Sequence, residues 1–253
     1  IRSGVSLQHY KMTNIDTVST AIGILGNITA VLLFMSPLPT FYEICKKKST
    51  GSFSGVPYLC SLANCLIWVF YGLPIITHNL ILVITINGFG VFMESLYLLV
   101  YVPFAQGKNK MKMLVIILII LVAYGIIIVL TLTVLPIDKR ALFVGTIAAV
   151  LNTAMYAAPL AAMRNVIQTK SVDSMPFLLS LCTFVNSCLW AIYGILKKDP
   201  FIIIPNALGI IFGIMQLALY AHYHKYQRRA TTGDGTNGMV NASDKRREAT
   251  QHV

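Results

Sequence analysis

"NCLIWVFYG", residues 64–72, and "NSCLWAIYG", residues 186–194, are one phrase written twice at an offset of 122. The chain has 253 residues and two tryptophans, and both tryptophans sit in that phrase, each four residues after an Asn and three before a Tyr-Gly pair. Sliding the sequence along itself extends the match. Pro37 pairs with Pro159, and Lys48-Ser49 with Lys170-Ser171, at the same offset. At 119, which implies three extra residues in the first loop, Pro57 pairs with Pro176, Asn87 with Asn206, Gly90 with Gly209 and Tyr101 with Tyr220. Residues 16–103 and 139–222 are thus two copies of one unit.

Composition says where that unit lives. The chain is 56% hydrophobic and 11% charged, with a mean hydropathy of +0.72, beyond what a soluble domain carries. Charge-poor stretches of bilayer-crossing length, about 20 residues as helix, fall at 17–42, 57–76, 80–103, 113–136, 141–163, 175–195 and 200–222. Each unit therefore holds three helices. A three-span unit ends on the side opposite its start, so a second copy in the same orientation needs one extra crossing. Residues 104–138 supply it, through the uncharged "MLVIILIILVAYGIIIVLTLTVL" at 113–135. The expected fold is an all-α membrane protein of seven helices, two parallel three-helix bundles joined by a linker helix (3+1+3). Residues 1–15 read as a short extracellular arm and 223–253 as a disordered cytosolic tail.

The net charge of +11 is not that of a nucleic-acid binder, since there is no folded soluble platform and no basic-aromatic module. Eleven Lys and Arg (Lys46, Lys47, Lys48, Lys108, Lys110, Lys112, Arg164, Lys170, Lys225, Arg228, Arg229) fall at ends sharing one side; six (Arg2, Lys11, Lys139, Arg140, Lys197, Lys198) fall on the other. The excess marks the cytosolic side, with the N-terminus outside and the C-terminus inside. The five cysteines (Cys45, Cys60, Cys65, Cys182, Cys188) have no metal-ligand spacing and read as packing residues.

The motifs "MSPLPTFYEICKKKSTGSFSGVPYL", "NCLIWVFYGLP", "TINGFG", "MYAAPLAAMRNVIQTKSVDSMPFLLSL", "LWAIYGILKKDPF" and "IPNALG" together resemble the SWEET family of sugar transporters in its plant form, over about residues 16–225. That family is itself a standing example of parallel repeats about an axis along the membrane normal, so the fit to that plan is no separate inference. The resemblance implies a facilitative, bidirectional sugar uniporter in the plasma membrane or an endomembrane, assembled as a homo-oligomer. It implies hexoses such as glucose as substrate, with disaccharides left open.

The residues support a sugar site independently. Trp68 and Trp190 follow the prolines of their helices by 11 and 14 residues, roughly 16 to 21 Å at 1.5 Å per residue, too deep for interfacial anchors. Opposed indole faces suit the C–H face of a pyranose. Asn87 and Asn206 offer amide donors and acceptors to hydroxyls without burying a charge, and match the family's paired binding asparagines. Asn64 and Asn186, one turn from each Trp, and Leu33 and Met155, four residues before Pro37 and Pro159, are expected to line the same cavity. Met155 resembles the narrower, monosaccharide-preferring members.

Pro37, Pro57, Pro159 and Pro176 read as helix kinks and match the family's cytosolic hinge tetrad. Tyr71 and Asp199 match its extracellular gate; a solvated Asp199 beside Lys197 and Lys198 is the plainer alternative. Gly72, Gly145 and Gly194 are expected to permit close helix approach. Among nine acids, only Glu94 lies well inside a span, and its repeat counterpart is Gly213. It reads as a structural or gate-proximal residue, which leaves no proton relay. No nucleotide-binding loop, metal set or cofactor site is expected, and no catalytic pair lies within the spans. A seven-span receptor would not be expected to carry an internal repeat, and a PQ-loop-type amino-acid or proton-coupled carrier would want charged partners in its pocket.

Overall fold

The computed structural model describes residues 2–78 and 80–231, with 2–13 and 226–231 described by their backbone alone. Among the described residues there are nine helices and no strand: α1 (Arg2–Met35), α2 (Leu38–Lys47), α3 (Val56–Gly72), α4 (Ile81–Phe104), α5 (Gly107–Thr133), α6 (Ile137–Ala154), α7 (Ala157–Thr169), α8 (Phe177–Lys197) and α9 (Pro200–Thr231). They form seven spans, because α1 with α2, and α6 with α7, are single spans broken once. Six spans are long and apolar enough to cross a membrane, and α3, with 17 residues, is shorter.

The broken spans correct the expected placement of the prolines inside helices. All four sit at helix beginnings rather than in helix interiors: Pro37 and Pro176 are the N-caps of α2 and α8, Pro57 is the second residue of α3, and Pro159 is the third of α7. A first-turn proline lacks an N–H that had no partner within that helix, so it starts the helix rather than distorting it. Pro37 and Pro159 still mark breaks within a span. Pro57 and Pro176 only begin α3 and α8. The repeat extends to the helix ends, where α2 and α7 both stop on a left-handed lysine, Lys48 at φ 50° and Lys170 at φ 53°.

Two terminal expectations change. The segment taken as an arm is helical from Arg2, and α9 runs through Thr231 instead of ending at Tyr223. After Gly213 no glycine or proline interrupts the sequence until Gly233, so nothing local stops the helix earlier. The tail from 232 onward lies outside the described residues.

In each repeat the third helix packs between the other two: α4 against α1, α2 and α3, and α9 against α6, α7 and α8. Across the repeats, α1 packs on α8 and α3 on α6. Exchanging the two copies turns one of those contacts into the other, as an axis along the bundle requires. The linker α5 lies outside, against α3, α4 and α6, and is almost wholly unburied, Met113 and Thr131 excepted.

The buried core is shared in one half of the molecule and divided in the other. One cluster joins both repeats through Trp68, Tyr71, Val144, Ala148, Trp190, Tyr193 and Ile202. A second cluster, around Phe41, Ile44, Leu59 and Tyr97, belongs to the first repeat and α5. A third, around Met163, Val166, Val172 and Met175, belongs to the second repeat. The divided half is the one where the lysine-rich end of α2, the lysine-rich start of α5 and the Lys170 end of α7 lie.

Candidate functional site

A cavity of about 160 Å³ lies between the repeats. Ten of its twelve lining residues are five repeat-matched pairs: Trp68 with Trp190, Asn64 with Asn186, Asn87 with Asn206, Val83 with Ile202, and Ala30 with Asn152. Both indoles meet the tyrosine three residues on, edge to face, at 5.5 Å for Trp68–Tyr71 and 5.2 Å for Trp190–Tyr193. These ring pairs pack the cavity wall into the shared core. Gly26 of α1 lies under Trp190, where an added Cβ would stand 3.1 Å from the indole Nε1.

The amides are held in matched ways. Asn87 Nδ2 donates to the Val83 carbonyl at 2.9 Å, and Asn206 Nδ2 to the Ile202 carbonyl at 2.8 Å. Each bond reaches one turn back along its own helix, fixes the rotamer, and leaves the amide oxygen for a ligand hydroxyl. Asn64 and Asn186 differ. Asn186 Oδ1 meets the hydroxyl of Thr29 at 2.9 Å, while Asn64 Oδ1 is buried with no partner.

Six of the eight residues expected to bind substrate line the cavity, and Leu33 and Met155 do not. The wall offered by the first span is Ala30 and Phe34, one turn apart; Leu33 is about 100° around the helix from Phe34. Met155 lies past the end of α6, at the break. Asn152 was missed because its repeat partner is Ala30, so a search for paired polar residues passes over it.

At the shared-core end, Tyr71 donates its hydroxyl to Asp199 Oδ2 at 2.8 Å, joining the two repeats. Asp199 Oδ1 accepts from the backbone N–H groups of Phe201 and Ile202 at 3.0 and 3.3 Å, capping α9. Burial raises the Asp199 carboxyl from its ordinary value, against the opposing pull of Tyr71 and the two N–H groups. Lys197 turns to Asp16 of α1 at 3.0 Å, a second tie between repeats. Gly145 makes room here, since an added Cβ would stand 2.6 Å from the Phe201 ring and 2.8 Å from that of Tyr71. Glu94 is 4% exposed, does not line the cavity, and has one carboxyl oxygen, Oε2, without a partner.

Two parallel three-helix repeats around a polar-aromatic cavity define a multi-pass membrane transporter. The profile of a family described as "Sugar efflux transporter for intercellular exchange" matches residues 20–109 and again 142–228, one match per repeat. The chain is 44% identical to the bidirectional sugar transporter SWEET7b of Oryza sativa subsp. indica, over 85% of this chain and 81% of that one. It is 43% identical to the bidirectional sugar transporter SWEET7 of Arabidopsis thaliana, over 85% and 84%. A solved eukaryotic SWEET transporter superposes with a TM-score of 0.81 at 41% identity, covering 83% of this chain and 99% of that one. The chain belongs to the SWEET family of sugar transporters.

Proposed function

We propose that the protein carries hexoses such as glucose passively in either direction by alternating access. The observation that carries this reading is the division of the core. A cavity walled by paired Trp and Asn lies where one shared cluster gives way to two separate ones. Rocking the repeats about the shared half would close the divided half, and rupture of the Tyr71–Asp199 bond would open the other. No carboxylate lines the cavity, which favours a uniporter over a proton-coupled carrier. The excess of basic residues supports reading the lysine-rich end as cytosolic, and this conformation as the inward-facing one. Trp68, Trp190, Asn87, Asn206, Asn64 and Asn186 are the proposed sugar contacts, with Asn152 as an added wall. The deciding experiment is uptake and efflux of labelled glucose and sucrose in a cell without its own sugar carriers. Saturable glucose flux in both directions supports the reading, and its absence from a correctly inserted protein overturns it.

A further inference from the structure

Two lining residues of the cavity, Phe34 and Ile86, have no lining counterpart. Their repeat partners are Tyr156 and Pro205, and those two are bonded to each other: the Tyr156 hydroxyl donates to the Pro205 carbonyl at 2.7 Å. The second repeat thus closes with a hydrogen bond a place the first leaves open to the cavity. Tyr156 is the N-cap of α7, at the break of the fifth span; Pro205 immediately precedes Asn206 on α9. The bond ties the break directly to the turn bearing a cavity amide.

The surroundings fix that hydroxyl. The Tyr156 ring packs on Phe212 with centroids 5.1 Å apart. The hydroxyl lies over Gly209, where an added Cβ would collide with it and with Ser187 Oγ. In the first repeat the corresponding glycine, Gly90, faces the Phe34 ring and Cys65 Sγ, each 2.6 Å from an added Cβ. There the tie runs the other way, from the Tyr97 hydroxyl on α4 to the Phe34 backbone carbonyl at 2.8 Å. The break also falls at different places: at Met155–Tyr156 in the second repeat, but at Ser36–Pro37 in the first, three residues later in register. So only in the second repeat does the side chain at the break itself hold the helix of the binding amide.

We propose that Tyr156 is a positioning residue that couples movement of α7 to the Asn206 turn, and that its bond to Pro205 stabilises the conformer open at the lysine-rich end. This rests on the alternating-access reading above. When α7 swings to close that end its N-cap must turn, the hydroxyl leaves the Pro205 carbonyl, and the turn bearing Asn206 is released. A sugar held by Asn206 and the α7 break therefore act on each other through one bond.

The test is Tyr156→Phe in the full-length protein, with zero-trans influx and efflux of D-glucose measured in a cell lacking its own carriers. Loss of the bond depletes the conformer open at the lysine-rich end. The half-saturation concentration should rise at that face and fall at the other, changing their ratio about three- to tenfold, the equivalent of one neutral hydrogen bond. A merely structural defect lowers the amount of active carrier and leaves that ratio untouched. Gly209→Ala, which displaces the hydroxyl while keeping the ring, should shift the ratio in the same direction and add little in the Tyr156→Phe background. An unchanged ratio in Tyr156→Phe overturns this inference alone, as does equal weakening of glucose at both faces, which would make Tyr156 part of the pocket wall. Uncoupler-sensitive accumulation by the unaltered protein overturns the uniport reading and this inference with it.

Discussion

The Thr29 hydroxyl on α1 stands 2.9 Å from the amide oxygen of Asn186 on α8, sharing its one proton between that oxygen and the carbonyls of Gly26 and Leu25 at 2.9 and 3.2 Å, and no hydroxyl stands so against the matched Asn64. The cause is in the repeat alignment, which places Leu151 opposite Thr29. Two amides that look equivalent in sequence therefore differ in what they have left for a ligand. Asn64 carries a buried acceptor without a partner, an arrangement costing about 1–3 kcal/mol; turning the amide towards the cavity it lines would bring that oxygen to a sugar hydroxyl. Asn64→Ala should raise the glucose half-saturation concentration about tenfold or more, and Asn186→Ala by less. Concentration series of initial uptake, corrected for surface expression, decide it. Equal effects would mean that Thr29 does not occupy Asn186.

The paired walls give a second expectation. Trp190→Ala removes one aromatic face and Asn206→Ala one fixed amide, each a loss of roughly 1–3 kcal/mol in a closed site. Weak sugar binding does not survive that, so both variants should reach the membrane and carry almost no glucose. Normal flux in either would place the sugar elsewhere.

How much of this was legible in the sequence follows from what a repeat can and cannot show. The 3+1+3 plan and the Trp and Asn pairs could be read directly, because duplicated residues identify themselves. Tyr71 and Asp199 came only through the resemblance, since 128 positions and two repeats separate them. Asn152 was invisible because its partner is Ala30. The prolines were seen, but not their places at helix starts. A sequence shows that a proline lies in an apolar stretch, not whether the helix has already stopped before it. Leu33 and Met155 failed for the same reason, since spacing from a proline predicts a facing only along an unbroken helix. The Tyr156–Pro205 bond had no signal, because Phe34 and Ile86 conceal that those positions matter.

The Asp199 carboxyl sets a pH dependence whose sign can be worked out. Burial raises its pKa in the closed arrangement, whereas opening that end returns it to water and to the ordinary value. The conformer with the higher pKa binds more protons, so acid favours it, and that advantage is lost as pH rises through the raised value. Acidifying the medium on that side into the carboxylate range should therefore hold the Tyr71–Asp199 end shut and slow glucose flux. Asp199→Asn keeps an acceptor for Tyr71 but cannot titrate, so its flux should be flat over the same range. A profile unchanged by the substitution would assign the pH effect to another group.

Coupling is tested by Glu94, the one acid among the described residues that is buried within a span. It stands away from the cavity lining, so no proton need accompany the sugar. Glucose should equilibrate without exceeding its external concentration, and an uncoupler should leave the initial rate unchanged. Accumulation abolished by the uncoupler would require a proton path, and Glu94→Gln would be the variant to trace it.

The placement of the prolines separates four residues that the sequence treats alike. At Pro37 the break is held by short-range bonds: Ser36 N–H to the Leu33 carbonyl at 3.1 Å and Ser36 Oγ to the same carbonyl at 2.7 Å. At Pro159 the Ala158 N–H reaches the Met155 carbonyl at 3.3 Å. An alanine at either position supplies the N–H that lets the Leu33 or Met155 carbonyl take an ordinary helical bond, joining α1 to α2 or α6 to α7 as one straight helix. Pro57 and Pro176 precede no such junction; alanine there only exchanges one good helix start for another. Pro37→Ala and Pro159→Ala should therefore slow exchange between the two conformers and cut maximal flux about tenfold, while Pro57→Ala and Pro176→Ala change it by less than about threefold, a gap of roughly 1 kcal/mol in the barrier. Glycine at 37 or 159 should retain more flux than alanine, because it restores the N–H but not the stiffness. Equilibrium glucose binding to the same purified variants should stay near the unaltered value, since Trp68, Trp190, Asn87 and Asn206 keep their positions. Equal losses at all four prolines, or binding lost in step with flux, would show that the prolines shape the cavity instead of hinging the spans.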